Sequence, residues 1–432
     1  MLRFAPSPIA DMHIGDLRVA LFNYIVAKQR GEELLVRMED TDKEHVVEGK
    51  DKEILDILGL FGIEYSNVIH QSEQLRYHRM MAIQLLGDKK AFNCFCTPAE
   101  LALKREIAKK AGKPFHYDDT CTHLLPEQTI DNENPFTIRL RRPEKAIVVD
   151  DLIKGKRSFS PDEVDAFVIM TAEKFPTYNF ASAVDDMISD ISLVIRDEKY
   201  LDETPRQIAV RDALGYEKTM AYAHLPAILD DAGREMSSGD DALSVKWLLE
   251  EGFLPSAIIN YLIALGNKTP QETFTLEEAV AWFDLKSISD APARFDMDVL
   301  KSLNGQHLRD LDDKELSRYV GFADEAIGKL AKVFLEEART LKELRPKIEA
   351  IFAPKTLPEA FAKQAETLRK VIMSAPHFET FDAFKAHLVK ESGLEGKELS
   401  QTLRHIITGR GDGPEVADLY VHLKDFLGEI VK

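Results

Sequence analysis

Near the start of the chain, Arg3-Phe-Ala-Pro-Ser-Pro-Ile-Ala-Asp-Met is followed by His13-Ile-Gly-Asp16 and an apolar-periodic run from Leu17. An imidazole and a glycine placed where a helix begins suit a phosphate. The free N–H groups of a first helical turn and the positive dipole end face the anion, and glycine lets it come close. A second polar group, Arg37, Glu39, Asp40 and Asp42, follows the apolar Leu34-Leu-Val36. Polar residues at the C-terminal end of a strand are where open α/β sheets present ligand-binding groups. All three cysteines, Cys94, Cys96 and Cys121, lie close in sequence, with His123 two residues beyond the last. Three thiolates and an imidazole make a closed tetrahedral zinc site with no open position for chemistry. The alternative is three incidental cysteines beside an ordinary histidine; an even disulfide framework is excluded by the count.

These groups need rigid elements to hold them. Leu2, Phe4 and Ala5 read as a strand, and Ile14, Leu17, Leu21 and Ile25 recur at helical spacing. A second strand ends at Arg37, a helix carries Ile54, Leu55, Ile57, Leu58 and Phe61, and another starts near Leu75. Residues 1 to about 75 therefore read as the first half of a dinucleotide-type fold. Strands are expected around Phe136–Leu140 and Ile147–Val149, an apolar segment at Phe167–Thr171, and a return to the sheet at Val194-Ile-Arg196. From Leu243 onward the pattern is helical, including Ile327, Leu330, Phe334, Leu341, Leu344 and Ile348.

A chain of 432 residues with 44% hydrophobic and 30% charged content is long enough for several domains with their own cores. No apolar run is long enough to span a bilayer. The chain opens directly on a strand without a basic-then-apolar leader, which points to the cytoplasm. Net charge is −18, so any nucleic-acid partner is expected to bind through a local basic face.

The first stretch resembles the first signature of the class I aminoacyl-tRNA synthetases, specifically the glutamate–tRNA ligases. Arg37-Met-Glu-Asp-Thr-Asp42 is similar to that family's Arg-Ile-Glu-Asp-Thr-Asp segment. Cys94-x-Cys96…Cys121-x-His123 resembles the arrangement found in a subset of its members, in the insertion that grips the tRNA acceptor end. Pro176–Asp186 with Val194–Arg196 resembles its second half, and Asp230–Asp241 sits where the mobile ATP loop belongs. The resemblance implies an α/β N-terminal half, a Rossmann-like parallel sheet with an inserted zinc-stapled domain, followed by an all-α tRNA-binding half. The implied domains are 1–75 with 180–242 (catalytic), 76–179 (acceptor end), 243–310 (tRNA stem) and 311–432 (anticodon).

It also implies roles. Arg3, Ala5, Ser7, Glu39, Tyr178 and Arg196 fall on glutamate-binding positions. Arginines can take carboxylates by parallel hydrogen bonds, and Glu39 can receive an ammonium. His13, Gly15, Glu198 and Met236 fall on ATP-binding positions, with Arg234 and Ser237 as further phosphate-stabilising groups. Cys94, Cys96, Cys121 and His123 would hold structural Zn²⁺, while Mg²⁺ accompanies ATP. The implied function is ligation of glutamate to tRNA through an adenylate, by a monomer without membrane contact. The alternative is a related chain that binds glutamate or tRNA without efficient adenylation.

Departures from the family pattern concentrate at the ATP end. Ile9-Ala10 replaces Thr-Gly, Asp16 closes the first signature, and Asp197-Glu-Lys-Tyr200 replaces Gly-Glu-Asp-His. Glu235-Met-Ser-Ser-Gly239 replaces Lys-Leu-Ser-Lys-Arg, giving Asp230–Asp241 five acidic residues, one basic residue and a formal charge of −4. Loss of one preorganised donor to a developing oxyanion typically costs ~10²–10³ in rate, so slow adenylation is expected unless Arg234 swings in or Mg²⁺ takes over.

Overall fold

Two of the leading strands, Leu2–Phe4 (β1) and Leu34–Met38 (β2), are buried at every position. Continuous burial of this kind marks the centre of a parallel sheet covered on both faces. A computed structural model, which describes residues 1–236 and 244–432, places them so. The further strands are Asn67–His70 (β3), Ala91–Cys94 (β4), Thr137–Leu140 (β5), Ile147–Asp151 (β6), Gly155–Phe159 (β7) and Val168–Met170 (β8). Leu193–Asp197 (β9), Ala221–Leu225 (β10), Ile228–Leu229 (β11) and Ala293–Arg294 (β12) follow. The main sheet has seven strands in the order β3-β2-β1-β9-β10-β6-β7. All its pairings are parallel except β6 with β7.

Strand β1 thus lies between β2 and β9, and successive connections leave it in opposite directions. Such a switch point opens a crevice at the carboxyl ends of the strands. The helix Ile14–Arg30 starts there. Its N-cap is His13, whose Nδ1 accepts the Gly15 N–H at 3.1 Å while Asp16 accepts the His13 N–H at 3.2 Å. Gly31 ends it with φ 63°, the left-handed turn that glycine adopts most readily. The helix Tyr178–Ile188 is buried over most of its circumference, including Asp185 and Asp186.

A second sheet, antiparallel in the order β4-β5-β8, carries Cys94 at its first strand's end. The hairpin β6–β7 lies within the stretch expected as an insertion, yet Asp151 pairs with Tyr222 and the hairpin extends the main sheet. Phe283 stacks on Phe22 of the first helix at 4.8 Å, so residues 274–295, expected with the stem-contacting helices, also pack in the first compact unit.

The second unit comprises 246–261, 270–273 and 296–432. Its helices bury Leu308, Leu316, Leu330, Leu344, Ile348, Leu368, Leu403 and Ile406 in one core. Two of them, Asp313–Tyr319 and Glu325–Val333, meet backbone to backbone: a Cβ on Gly328 would lie 1.7 Å from the Asp313 carbonyl oxygen. No side chain can rotate away from that clash. Gly328→Ala should therefore lower stability by at least the ~1–3 kcal/mol usual for overpacking. Gly59→Ala, with nothing within 4 Å of its new methyl, should leave stability unchanged or slightly raised. Calorimetric melting of the two variants checks both.

Candidate active site

At the switch point lies a cavity of about 410 Å³. Its walls come from the end of β1 and the following loop (Arg3–Met12), the first turn of the first helix (His13, Gly15, Asp16), Glu39, Tyr178, and the end of β9 with its turn (Ile195–Asp197, Lys199, Tyr200). Ile228, Glu235 and Met236 close one side.

One end is built on buried charge. The Asp186 carboxylate accepts from Arg3 Nε at 3.1 Å and Arg37 Nη1 at 2.5 Å. Arg37 Nη2 then donates to Glu39 Oε1 at 3.1 Å, which also accepts from Ser182 Oγ at 3.3 Å. Burial pushes the Asp186 carboxyl up, but Arg3 and Arg37 outweigh it and hold it at about 2. These four groups sum to zero charge.

Arg196 is held differently. Its guanidinium donates to His224 Nε2 (3.1 Å), Gln207 Oε1 (3.0 Å), Thr204 Oγ1 (2.9 Å) and the Tyr200 carbonyl (3.3 Å). Every one of these acceptors is neutral, and among the described residues no carboxylate pairs with it. His224 can accept there because its Nδ1–H is donated to Asp151 Oδ2 at 2.6 Å, which fixes the tautomer. Burial lowers the His224 pKa below its ordinary 6.5 despite Asp151. Asp151 takes further N–H groups from Ile153 and Lys154; these bonds and His224 overcome its burial and hold it at about 2. The site therefore presents a cation on a neutral cradle, with Asp151 behind the imidazole.

At the other end, His13 and Gly15 sit at the helix start. Ser244, beyond residues 237–243, bridges His13, and the Val245 N–H donates to the Met12 carbonyl at 2.9 Å. Away from the cavity, the sulfurs of Cys94, Cys96 and Cys121 lie within 4.8 Å of one another. The Tyr117 hydroxyl stands beside them, 3.4 Å from Cys94 and 3.6 Å from Cys96, and accepts the Cys121 N–H at 3.1 Å.

Residues 1–302 match the model of the class I tRNA synthetases (E and Q), catalytic domain. The chain belongs to this family. It is 59% identical to glutamate–tRNA ligase 2 of Sulfurimonas denitrificans and 51% identical to glutamate–tRNA ligase 1 of a Nitratiruptor species, each over all of both chains. Among solved structures it is similar to a glutamate tRNA ligase of Elizabethkingia meningosepticum in complex with its amino acid. That likeness has a TM-score of 0.84 and 26% identity, and covers all of this chain and 98% of the other.

In this synthetase, Arg3, Ala5, Ser7, Glu39, Tyr178 and Arg196 line the one cavity, as do His13, Gly15 and Met236. Three expected groups are placed elsewhere. Arg234 is exposed and does not line the cavity; it is tied to Asp230 through its backbone N–H at 2.8 Å and its guanidinium at 2.7 Å. The Glu198 carboxylate is engaged by Lys154 and by the Ala227 N–H at 2.7 Å. His123 stands exposed and outside the sulfur cluster, beside which the Tyr117 hydroxyl lies instead. Ser237 lies outside the described residues.

Sequence reasoning did not assign roles to Arg37, Asp151, Asp186, Gln207 and His224. Arg37 and Asp186 stood inside stretches already singled out, but partners 149 residues apart leave no local signal.

Removing one partner of a buried pair leaves uncompensated charge and typically costs ~3–5 kcal/mol. Asp186→Asn should destabilise the protein by that order in chemical unfolding. The pH profile carries the sign. A carboxylate depressed from 3.8 to about 2 contributes stability that is present above 3.8 and lost as pH falls toward 2. Wild type should lose that contribution in acid, and Asp186→Asn should show a shallower acid dependence.

Proposed function

We propose that this synthetase joins glutamate to tRNA at the expense of ATP, through an enzyme-bound glutamyl-adenylate. The observation that carries the reading is Arg196, which lines the cavity and has no carboxylate paired with it among the described residues. Glutamate has a net charge of −1 at neutral pH and glutamine none, so this cation favours the acid. Arg196 receives one carboxylate by its charge and by the one Nη1 N–H that its four protein hydrogen bonds leave over. Glu39 faces the α-ammonium, and Tyr178 and Ser7 add neutral donors. Arg3 is the weaker candidate for a carboxylate, because Asp186 neutralises it.

The other carboxylate oxygen attacks the α-phosphorus of ATP, and pyrophosphate leaves with the electrons of the bond it breaks. The hydroxyl of the tRNA's terminal adenosine then attacks the acyl carbon, and AMP departs. No covalent enzyme intermediate is involved. The positive end of the first helix and His13 serve the phosphates, and Mg²⁺, when bound, would supply further charge neutralisation.

The three thiols suit structural zinc, and a phenol oxygen beside them is a hard donor that can complete four-coordination. In this reading residues 76–179 reach the tRNA acceptor end and the helical second half contacts stem and anticodon. The chain acts as a monomer in the cytoplasm, where thiols stay reduced. No helix among the described residues is long and apolar enough to cross a membrane.

Charging of purified tRNA(Glu) and tRNA(Gln) with saturating ATP and Mg²⁺ tests the reading. Wild type should charge at least one of them. Arg196→Gln should raise the glutamate KM by about 10²-fold, the scale of losing charged hydrogen bonds worth ~3 kcal/mol. An Arg196→Gln enzyme with unchanged glutamate KM would sink the assignment. For the metal, zinc near one equivalent is expected by elemental analysis, lost in Cys121→Ser and retained in His123→Ala.

A further inference from the structure

The phosphate end of the cavity needs a cation that the stretch Asp230–Asp241 does not provide. Of its described part, Glu235 lines the cavity with a carboxylate, and Arg234 is turned onto Asp230 with its side chain 81% exposed. Residues 237–243 are Ser-Ser-Gly-Asp-Asp-Ala-Leu and contain neither lysine nor arginine. No arrangement of that stretch can supply positive charge.

The described residues lining the cavity include three cations, Arg3, Arg196 and Lys199. Arg3 is paired with Asp186. Arg196 is held by four hydrogen bonds to neutral acceptors, its guanidinium carbon 5.7 Å from the centroid of the Tyr200 ring. Lys199 remains. It is exposed toward the cavity, and among the described residues its ammonium has no carboxylate partner. The ammonium lies 5.2 Å from the centroid of the Tyr200 ring. Its backbone is fixed by donation to Asp197 Oδ1 at 2.9 Å, which caps the turn Glu198–Glu203. It lines the same cavity as Gly15 and Asp16 of the first helical turn, where the phosphates are expected. In the Gly-Glu-Asp-His run typical of the family, this position holds an aspartate. The reversal from acid to base accompanies the loss of base from the loop.

We propose that Lys199 is the phosphate-binding cation of this enzyme, contacting ATP through adenylation in place of the absent loop lysines. The proposal rests on the ATP-dependent reading above and adds a residue to it. The bond that forms joins a glutamate carboxylate oxygen to the α-phosphorus, and the bond that breaks releases pyrophosphate. Lys199 transfers no proton; it stabilises charge that grows on the departing oxygens.

The test uses the full chain with tRNA, glutamate, ATP and Mg²⁺, comparing wild type, Lys199→Ala and Lys199→Arg. The expected result is a fall of about 10²–10³-fold in kcat/KM for ATP in Lys199→Ala. The glutamate KM should be unchanged, and Lys199→Arg should retain most of the activity. Titration of ATP by calorimetry, which needs no turnover, should show the same loss of affinity. Wild-type kcat/KM for ATP in Lys199→Ala, or a loss confined to the glutamate KM, would overturn the proposal. If wild type charges no tRNA, the ligase reading fails, and ATP affinity in the same variants still decides the role of Lys199.

Discussion

The Asp186 carboxylate is the point on which this structure depends. It comes from a helix and is met by Arg3 of β1 and Arg37 of β2, all three side chains being almost completely buried. A charge without water survives in a protein interior only when its partners are close and well oriented. The pairing therefore fixes the helix Tyr178–Ile188 against the carboxyl ends of two adjacent strands. Glu39, Ser182 and Tyr178 take their places in the cavity wall from that same alignment.

A second constraint builds on the first. The Asp186 cluster cancels its own charges, whereas Arg196 has no carboxylate paired with it among the described residues. The neutral acceptors around Arg196 orient it without reducing its charge directly, and Asp151 reaches it only through the His224 ring. Orientation is supplied by dipoles, so the full charge stays available to a ligand. This is preorganisation in the sense that matters for binding: the geometry is settled before the substrate arrives.

The opposite end works with less. Asp16, which looks in sequence like a carboxylate placed against an anion site, accepts the His13 N–H and belongs to the cap of the first helix. His13 is that helix's N-cap as well, so both groups are held by local helix geometry. The acidic loop and a basic Lys199 are then two sides of one redistribution of charge.

Local pattern alone determined a good deal. The strand openings at Leu2 and Leu34, the helix from Ile14 and the all-helical second half follow from apolar periodicity, because period and burial are properties of consecutive residues. The resemblance, carried by contiguous motifs, named Arg3, Glu39, Tyr178 and Arg196, and the fold gathers them on one cavity. Tertiary structure alone decided the partners. Asp186 with Arg37, and Asp151 with His224, meet across 149 and 73 residues. It also set Tyr117, not His123, beside the three thiols, and turned Arg234 outward while Lys199 faced in. Each of these is a choice among groups that could serve the same role. Such choices are made by the direction in which a turn leaves its strand, which residue type and spacing do not encode.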